Sequence, residues 1–212
     1  MRLCIWACAA IIVIAFVLSV YLYPTLPDEI PSHWNVAGEI DEYMNKEVGV
    51  FFLPVLMAGI AALMILLPRI DPKKKNYATF QTAYDGFILL ITIFLFCLFV
   101  LTLLAAYGID IQMNRVISLI FAILFAGIGL LLGKAEPTWF VGIKTPWTLE
   151  DDEVWHATHH LGARVFLLCG ILCLGGVVFP DFAFFFILVP VIIGTCGLII
   201  YSFLSYRQRH PL

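Results

Sequence analysis

The amino-acid sequence predicts an all-α membrane protein, folded as a bundle of six transmembrane helices. Hydrophobic residues make up 62% of the 212 residues and charged residues only 13%, which is about half the charged share of a soluble domain. The apolar residues also fall in long unbroken runs. A run of about 20 apolar residues in lipid is expected to be helical, because lipid offers no hydrogen-bond partner to a free backbone amide.

Six apolar segments are long enough to cross a bilayer, so we predict a single polytopic membrane domain over residues 1–212. The segments are 3–23, 48–68, 86–107, 116–133, 163–179 and 182–204. The first follows Arg2 and has the charged start of a secretory signal. Its length and the lack of a small-x-small cleavage site indicate a retained helix instead.

Other features of these segments are typical of membrane helices. Pro54 and Pro190 fall inside the second and sixth segments and are expected to kink them, and Gly129 and Gly133 form a GxxxG pair that favours close helix contact. All six cysteines lie in apolar runs, so we interpret them as reduced hydrophobic residues. The segments have essentially no ionisable group at mid-depth. This argues against ion-coupled transport and leaves a passive pore or a lipid-binding cavity open.

The positions of the basic residues predict the orientation. With the N-terminus in the cytoplasm, ten of the twelve basic residues lie on the inner side, and only Lys46 and Arg115 lie outside. Because cytoplasmic loops carry an excess of lysine and arginine, we predict a multi-pass protein of the cell membrane with both termini in the cytoplasm. The small net charge of −3 gives no sign of nucleic acid, and no direct nucleic-acid binding is expected.

The predicted external loop, residues 24–47, is the first candidate site. It carries six acidic residues and one lysine, and its prolines disfavour helix. Apolar residues among the charges predict a compact cap, and an ordered hairpin resting on the bilayer is the structural interpretation. The functional interpretation is an acidic, partly aromatic surface that docks an extracellular cationic or amphipathic ligand. A divalent-cation site using His33 with Asp28 or Asp41 is a third alternative, although its spacing matches no metal motif.

The predicted cytoplasmic loop, residues 134–162, is the second candidate site. Thr148 is followed by Asp151 three residues later, a capping-box pattern that predicts an interfacial helix. Two faces of that helix can be told apart by helical spacing. The face expected to pack on the bundle holds Trp155, His159 and Gly162. The face expected to be solvated holds Glu153, His156 and His160.

Chemical motifs are scarce. His156 and His160 are spaced like zinc ligands, but Ala157 stands where the HEXXH motif needs a glutamate. The sequence has no GxSxG motif and no P-loop. Ser32 precedes His33 in the external loop, but sequence neighbours rarely have the geometry of a catalytic dyad. We therefore predict no catalytic residue, no metal and no cofactor, and we do not expect an enzyme. A membrane enzyme or a lipid- or metal-binding protein with its site at the cytoplasmic loop stays open as an alternative, as does a passive transporter.

In these two loops the chain resembles the SdpI family of bacterial membrane immunity proteins, which protect a producing cell from its own secreted killing peptide. The external pattern LPxxIPxHWNxxGxxD is matched by Leu26, Pro27, Ile30, Pro31, His33, Trp34, Asn35, Gly38 and Asp41. The internal pattern WxxGI(R/K)TPWTLxxxEVWxxTHxxG is matched by Trp139, Gly142, Ile143, Lys144, Thr145, Pro146, Trp147, Thr148, Leu149, Glu153, Val154, Trp155, Thr158, His159 and Gly162. Lys144 and His160 stand where arginine is expected, and the loss of bidentate hydrogen bonding weakens any anion contact there.

The resemblance implies protection against an extracellular antimicrobial peptide of the SDP type, in a bacterial plasma membrane. It also implies a signalling role, in which the toxin-bound protein holds a cytoplasmic transcriptional repressor at the membrane. The expected partners are thus the lipid bilayer, the peptide toxin and such a repressor. The toxin-facing candidates are Asp28, Pro31, His33, Trp34, Asn35, Gly38 and Asp41. The candidates for the cytoplasmic partner surface are Trp139, Gly142, Lys144, Thr145, Pro146, Trp147, Thr148, Glu153, Trp155 and His159.

Overall fold

The chain folds as a bundle of six long helices with a small antiparallel sheet at one end, which confirms the predicted fold class. The structure is a computed structural model and describes residues 2–211. Its helices are α1 Leu3–Leu22, α2 Lys46–Ile70, α3 Gln81–Ala106, α4 Met113–Leu132, the short α5 Pro146–Glu150, α6 Asp152–Val178 and α7 Ala183–Arg209. The six long helices are all long and apolar enough to cross a membrane.

The long helices pack in two groups that meet where α3 contacts α4. Helices α1, α2 and α3 form one group, and α4, α6 and α7 form the other, with α6 making its most extensive contact with α4. Small residues permit that contact, as the GxxxG pair predicted. A Cβ atom at Gly129 would lie 2.7 Å from the carbonyl oxygen of Ala163, and one at Gly170 would lie 2.8 Å from that of Ala122.

The predicted ordered cap is a β-hairpin. Its strands are β1 Glu29–Trp34 and β2 Ile40–Asn45, which pair in antiparallel fashion. The turn between them is closed by a hydrogen bond of 2.9 Å from the Gly38 amide to the Asn35 carbonyl, with Gly38 at a φ of +83°. Strand β1 packs on α2 and α3, and the buried side chain of Ile30 anchors it there. The hairpin is thus part of the packed structure.

The bundle has two chemically different ends. Six crossings place residues 2 and 211 at the same end, which we call the termini end; the opposite end, with the β-hairpin, is the hairpin end. Eight acidic and two basic residues lie at the hairpin end, and the remaining seven acidic and ten basic residues lie toward the termini end. The assignment of the termini end to the cytoplasm stays a prediction.

The second half of the predicted cytoplasmic loop differs from expectation. The helix predicted there and the predicted fifth segment form one continuous helix, α6, since no proline separates them and Gly162 at the junction does not interrupt it. The predicted capping box from Thr148 to Asp151 is wrong. The capping box lies three residues earlier, where Thr145 and Thr148 cap α5 reciprocally, and Asp151 caps α6 separately by accepting from the amides of Glu153 (2.8 Å) and Val154 (3.2 Å).

Pro54 lies inside α2 and Pro190 inside α7, and the kinks expected there stay a prediction. The six cysteines, all within the described residues, are unpaired. The cysteines therefore act as small side chains of the bundle rather than as cross-links.

Candidate functional site

A cavity of about 610 Å³ lies beneath the β-hairpin; we call it the hairpin cavity. The hairpin forms one wall of it, and α2, α3, α4 and α7 form the others. Its lining is predominantly apolar, with a few polar groups contributed by the hairpin, by the start of α4 and by Thr102 of α3. A concave, mostly apolar cavity with few polar groups is the usual form of a ligand site. Representative lining residues from the helices are Phe52, Leu101, Phe121 and Ile187.

Four of the seven predicted toxin-facing residues line the hairpin cavity: Pro31, His33, Trp34 and Asn35. Pro31 is buried, Trp34 and Asn35 are half-buried, and His33 is exposed. The other three predicted residues lie outside the cavity: Gly38 forms the hairpin turn, Asp41 pairs with His33, and Asp28 precedes β1. The external motif thus includes residues of the hairpin wall of the cavity but none of its helical walls.

His33 and Asp41 face each other across the two strands. The imidazole Nδ1 of His33 donates to Oδ1 of Asp41 at 2.6 Å, and both side chains are well exposed. This hydrogen bond, together with the negative charge of Asp41, raises the pKa of His33 above its ordinary value. The pair ties β1 to β2 next to the cavity and does so most strongly when the imidazole is protonated.

Asn114, which the sequence did not single out, holds the hairpin tip over the cavity. Its side-chain Nδ2 donates to the carbonyl oxygens of Val36 (3.2 Å) and Pro180 (3.1 Å), and its carbonyl oxygen packs on Gly38, where a Cβ atom would lie 2.8 Å away. One amide thus joins the hairpin, the start of α4 and the connection before α7. No sequence pattern links position 114 to position 36, since these contacts depend on how the helices pack.

Asp28, the remaining toxin-facing candidate, borders a different feature. An open groove of about 580 Å³ separates the hairpin from the end of α3, and Asp28, Glu29 and Tyr43 line it. Lys46 approaches Asp28 at 3.4 Å and also donates to the Leu26 carbonyl at 3.0 Å. Since Asp28 is fully exposed, this pair is weak. The negative charge of Asp28 is therefore only weakly neutralised by Lys46.

At the termini end, the internal motif fastens the loop between α4 and α5 onto α6. His159 is buried: its Nε2 accepts from the Ile143 amide at 2.9 Å and its Nδ1 donates to the Trp155 carbonyl at 2.8 Å. The buried Trp155 ring stacks on His159 with centroids 4.0 Å apart and donates from Nε1 to the Ala135 carbonyl at 2.8 Å. Gly142 lies above this stack with a φ of +123°. The predicted packing face of the helix is thus confirmed.

The TPW part of the motif joins the short helix α5 to α7. The Thr145 hydroxyl donates to Ser202 Oγ at 3.0 Å, and Thr148 Oγ1 donates to the Ile143 carbonyl at 2.8 Å. Trp147 packs on Phe203, with ring centroids 5.0 Å apart. These contacts account for the motif structurally: its threonines are buried and its rings mostly contact other helices.

The predicted partner surface is therefore divided. Thr145, Thr148, Trp155 and His159 are buried, and Trp147 and Gly142 are half-buried. The candidates that are exposed are Trp139, Lys144, Pro146 and Glu153. Only this second set is accessible to a protein arriving from solution.

The loop that carries Trp139 is tied to the connection between α2 and α3. The buried Asp71 carboxylate accepts from the Trp139 amide (3.0 Å), the Lys73 amide (2.7 Å) and the Tyr77 hydroxyl (2.9 Å). Burial, and then the hydrogen bond to Asp71, raises the pKa of Tyr77. Asn76 adds a hydrogen bond of 2.8 Å to the Pro137 carbonyl. The indole of Trp139 is nevertheless 50% exposed, so it is held in place without being covered.

The histidines on the other face of α6 are not brought together with further ligands. His156 lies 3.6 Å from Glu136, and His160 is exposed. Across residues 2–211 the structure contains no group of three or more His, Cys, Asp or Glu side chains arranged to hold a metal ion. The same holds for His33 and its partner Asp41, which form a pair without a third ligand.

Comparisons with known proteins match both candidate regions. Residues 134–202 match the SdpI/YfhL protein family, and residues 10–58 match a domain of unknown function, DUF1648. The chain is 28% identical over 202 residues to Immunity protein SdpI of Bacillus subtilis (strain 168), covering 95% of this chain and 94% of that protein. It is also 44% identical over 50 residues to Uncharacterized membrane protein YbgB of the same organism, covering 24% of this chain and 55% of that protein.

The predicted resemblance to the SdpI family is confirmed by these matches. No solved structure matches the chain significantly. The similarity extends along nearly the whole chain, and so includes both the hairpin and the internal motif.

Proposed function

We propose, from the relation of the chain to the SdpI/YfhL protein family, that it is a membrane immunity protein that protects a bacterial cell against a secreted antimicrobial peptide. The observation that carries this proposal is the similarity to an immunity protein over 95% of the chain. A relation of that extent includes the hairpin, all six long helices and the motif at the termini end. Protection by such a protein does not require catalysis.

The hairpin cavity supports direct binding of the toxin as the mechanism. Its lining accepts apolar side chains, and burial of apolar surface contributes roughly 25 cal/mol per Å². The acidic excess of the hairpin end attracts cationic groups and speeds their encounter with the site. An amphipathic, cationic peptide combines both properties. The alternative, in which the protein changes the membrane so that the toxin does not insert, assigns no role to the cavity.

The test is survival of a toxin-sensitive bacterium that lacks its own immunity gene. Wild type is compared with Trp34→Ala, which opens the cavity wall, and with Tyr43→Ala, an exposed aromatic change on the opposite strand and outside the cavity. At matched membrane levels, we expect wild type and Tyr43→Ala to protect and Trp34→Ala to lose at least tenfold in tolerated toxin concentration.

Each alternative outcome has a definite meaning. Equal protection by Trp34→Ala and wild type would refute binding in the hairpin cavity and favour the membrane-based mechanism. Failure of wild type to protect against any related peptide would refute the immunity function, and the termini end would then be the place to look for an activity.

We further propose that the exposed part of the internal motif receives a cytoplasmic transcriptional repressor when the toxin is bound. The observation that favours this is that Pro146 and Glu153 stay exposed in a motif whose other residues are held in place by hydrogen bonds. A fluorescent repressor from the same operon should move to the membrane on addition of toxin. We expect Glu153→Lys to abolish this movement while toxin protection persists; Arg115→Glu, at the hairpin end, is the control that should leave it intact.

A further inference from the structure

A second cavity, of about 250 Å³, lies at the termini end between α3, α4 and the loop that follows α4; we call it the termini cavity. Its walls include Phe80, Phe87, Ile128, Leu131, Val141 and Ile143. Tyr84 is the lining residue with a polar side chain, and its hydroxyl donates to the Met64 carbonyl. The interior therefore has no side-chain polar group free for a ligand, and it suits a hydrocarbon.

Two lysines flank this apolar lining in the sequence. Lys134 directly precedes Ala135, and Lys144 directly follows Ile143; both of these neighbours line the cavity, and both lysines are exposed. Because consecutive Cα atoms are about 3.8 Å apart, each ammonium group lies within side-chain reach of the rim. Across residues 2–211 neither lysine has a carboxylate within ion-pair distance. Lys144 makes one hydrogen bond, of 3.0 Å, to the Phe140 carbonyl.

Exposed aromatic rings lie between the two lysines in the chain. Trp139 is 50% exposed and Phe140 39% exposed, although the backbone around them is fixed. Trp139 is bound to Asp71 and Ile143 to His159 through their amides. Aromatic rings and lysines at the ends of membrane helices lie at the level of the lipid headgroups. The opening of this cavity therefore lies at the boundary between the hydrocarbon core and the headgroup region of the bilayer.

We propose that the termini cavity binds one acyl chain of an anionic phospholipid, with the headgroup phosphate held by Lys134 and Lys144. A phospholipid is the molecule at this depth that offers hydrocarbon and negative charge together. A zwitterionic lipid offers the same chain but no net charge to balance two unpaired ammonium groups. Since the loop is fixed by its own hydrogen bonds, little ordering cost opposes binding. The proposal does not depend on the immunity function.

The experiment uses the full-length protein in nanodiscs with two photoreactive lipids, a phosphatidylglycerol and a phosphatidylcholine, each carrying a diazirine in the same acyl chain. Cross-linked peptides are mapped by mass spectrometry. We expect the anionic lipid to label the segments around Phe87 and Ile128 at least fivefold more than the zwitterionic one. The double variant Lys134→Gln/Lys144→Gln should remove this preference, whereas Arg207→Gln, an exposed basic residue at the same end, should retain it.

A second variant tests the cavity itself. Leu131→Trp fills it, so cross-linking to the Phe87 segment should fall for both lipids. Labelling of the lipid-facing side of α7 should not change, which would show that the variant is folded. Equal labelling by the two lipids in wild type would overturn the proposal. So would the same loss of preference in Arg207→Gln, because that result would show a general attraction to the basic end instead of a site.

Discussion

At the scale of single residues, Gly142 shows how tightly the internal motif is packed. A Cβ atom at this position would lie 2.5 Å from Nε2 of His159 and 2.7 Å from the Trp155 ring. It would thus press on the nitrogen that accepts from the Ile143 amide. The positive φ adds backbone strain for any other residue. Glycine is needed here for two reasons, one conformational and one steric.

We therefore predict that Gly142→Ala lowers the free energy of unfolding by about 2 kcal/mol or more. Thermal unfolding in detergent measures the change. Gly108→Ala is the matched control, because Gly108 also has a positive φ, +70°, but nothing within 4 Å of a new Cβ atom. Equal effects of the two substitutions would show that only the φ matters and that the packing of Gly142 on His159 contributes nothing.

His33 provides a prediction about pH. Its pKa is raised in the folded protein by the hydrogen bond to Asp41, so the protonated imidazole is the form that the hairpin stabilises. This contribution is fully present below the ordinary pKa of histidine, about 6.5, and is lost as the pH rises through the higher folded value. NMR titration of the His33 ring should show the raised pKa in wild type and a return toward the ordinary value in Asp41→Asn. An unchanged pKa in that variant would contradict the assignment.

At the scale of elements, the hairpin owes its position to a residue far from it in sequence. Asn114 of α4 donates to the Val36 carbonyl at the hairpin tip, so its removal should loosen the tip while the long helices stay packed. We predict that Asn114→Ala speeds exchange of the Gly38 and Glu39 amides roughly fivefold, since a lost hydrogen bond costs about 1 kcal/mol. Arg115→Ala, an exposed neighbour, is the control. Unchanged exchange in Asn114→Ala would show that β1 alone holds the hairpin.

The helices and the hairpin show which kinds of information a single sequence contains. Hydropathy located all six spans, because lipid imposes a length and a composition on each helix independently. Hydropathy predicts that the fifth span begins at residue 163, apart from the helix before it, because charges such as Glu153 interrupt the apolar pattern. The backbone nevertheless forms one helix back to Asp152, where Asp151 caps it. Asn114 was missed for a different reason: its partners are set by tertiary packing, which leaves no local pattern.

In the candidate sites, too, the sequence predicts local features but not contacts that depend on tertiary packing. The external motif led to the hairpin residues that line the cavity, including His33 and Trp34, since these residues are neighbours in sequence. In the internal motif, helical spacing predicts that Trp155 and His159 pack on the bundle, and they do so through mutual stacking and hydrogen bonds to the preceding loop. When the residues of a motif are mostly buried, they stabilise the fold. A long match to such a motif therefore need not indicate a surface that binds a partner.

At the scale of the whole molecule, the uneven distribution of charge predicts the topology. The termini end carries ten of the twelve basic residues, and the hairpin end carries eight of the fifteen acidic ones. Because basic loops are retained in the cytoplasm, the hairpin should face the exterior, where a secreted peptide arrives. The termini end should face the inner leaflet, whose anionic lipids attract Lys134 and Lys144. Both proposed sites thus require the same orientation.

We predict that in intact cells a membrane-impermeant maleimide labels Ala37→Cys, at the exposed hairpin tip, but does not label Gln208→Cys near the end of α7. Both variants are made in a chain whose native cysteines are replaced by alanine. Permeabilised cells should label both positions, which controls for the reactivity of each thiol. Labelling of Gln208→Cys alone in intact cells would show that the protein has the opposite orientation, with its termini outside. The hairpin cavity would then face the cytoplasm, where an arriving toxin does not reach it, and binding there would no longer explain immunity.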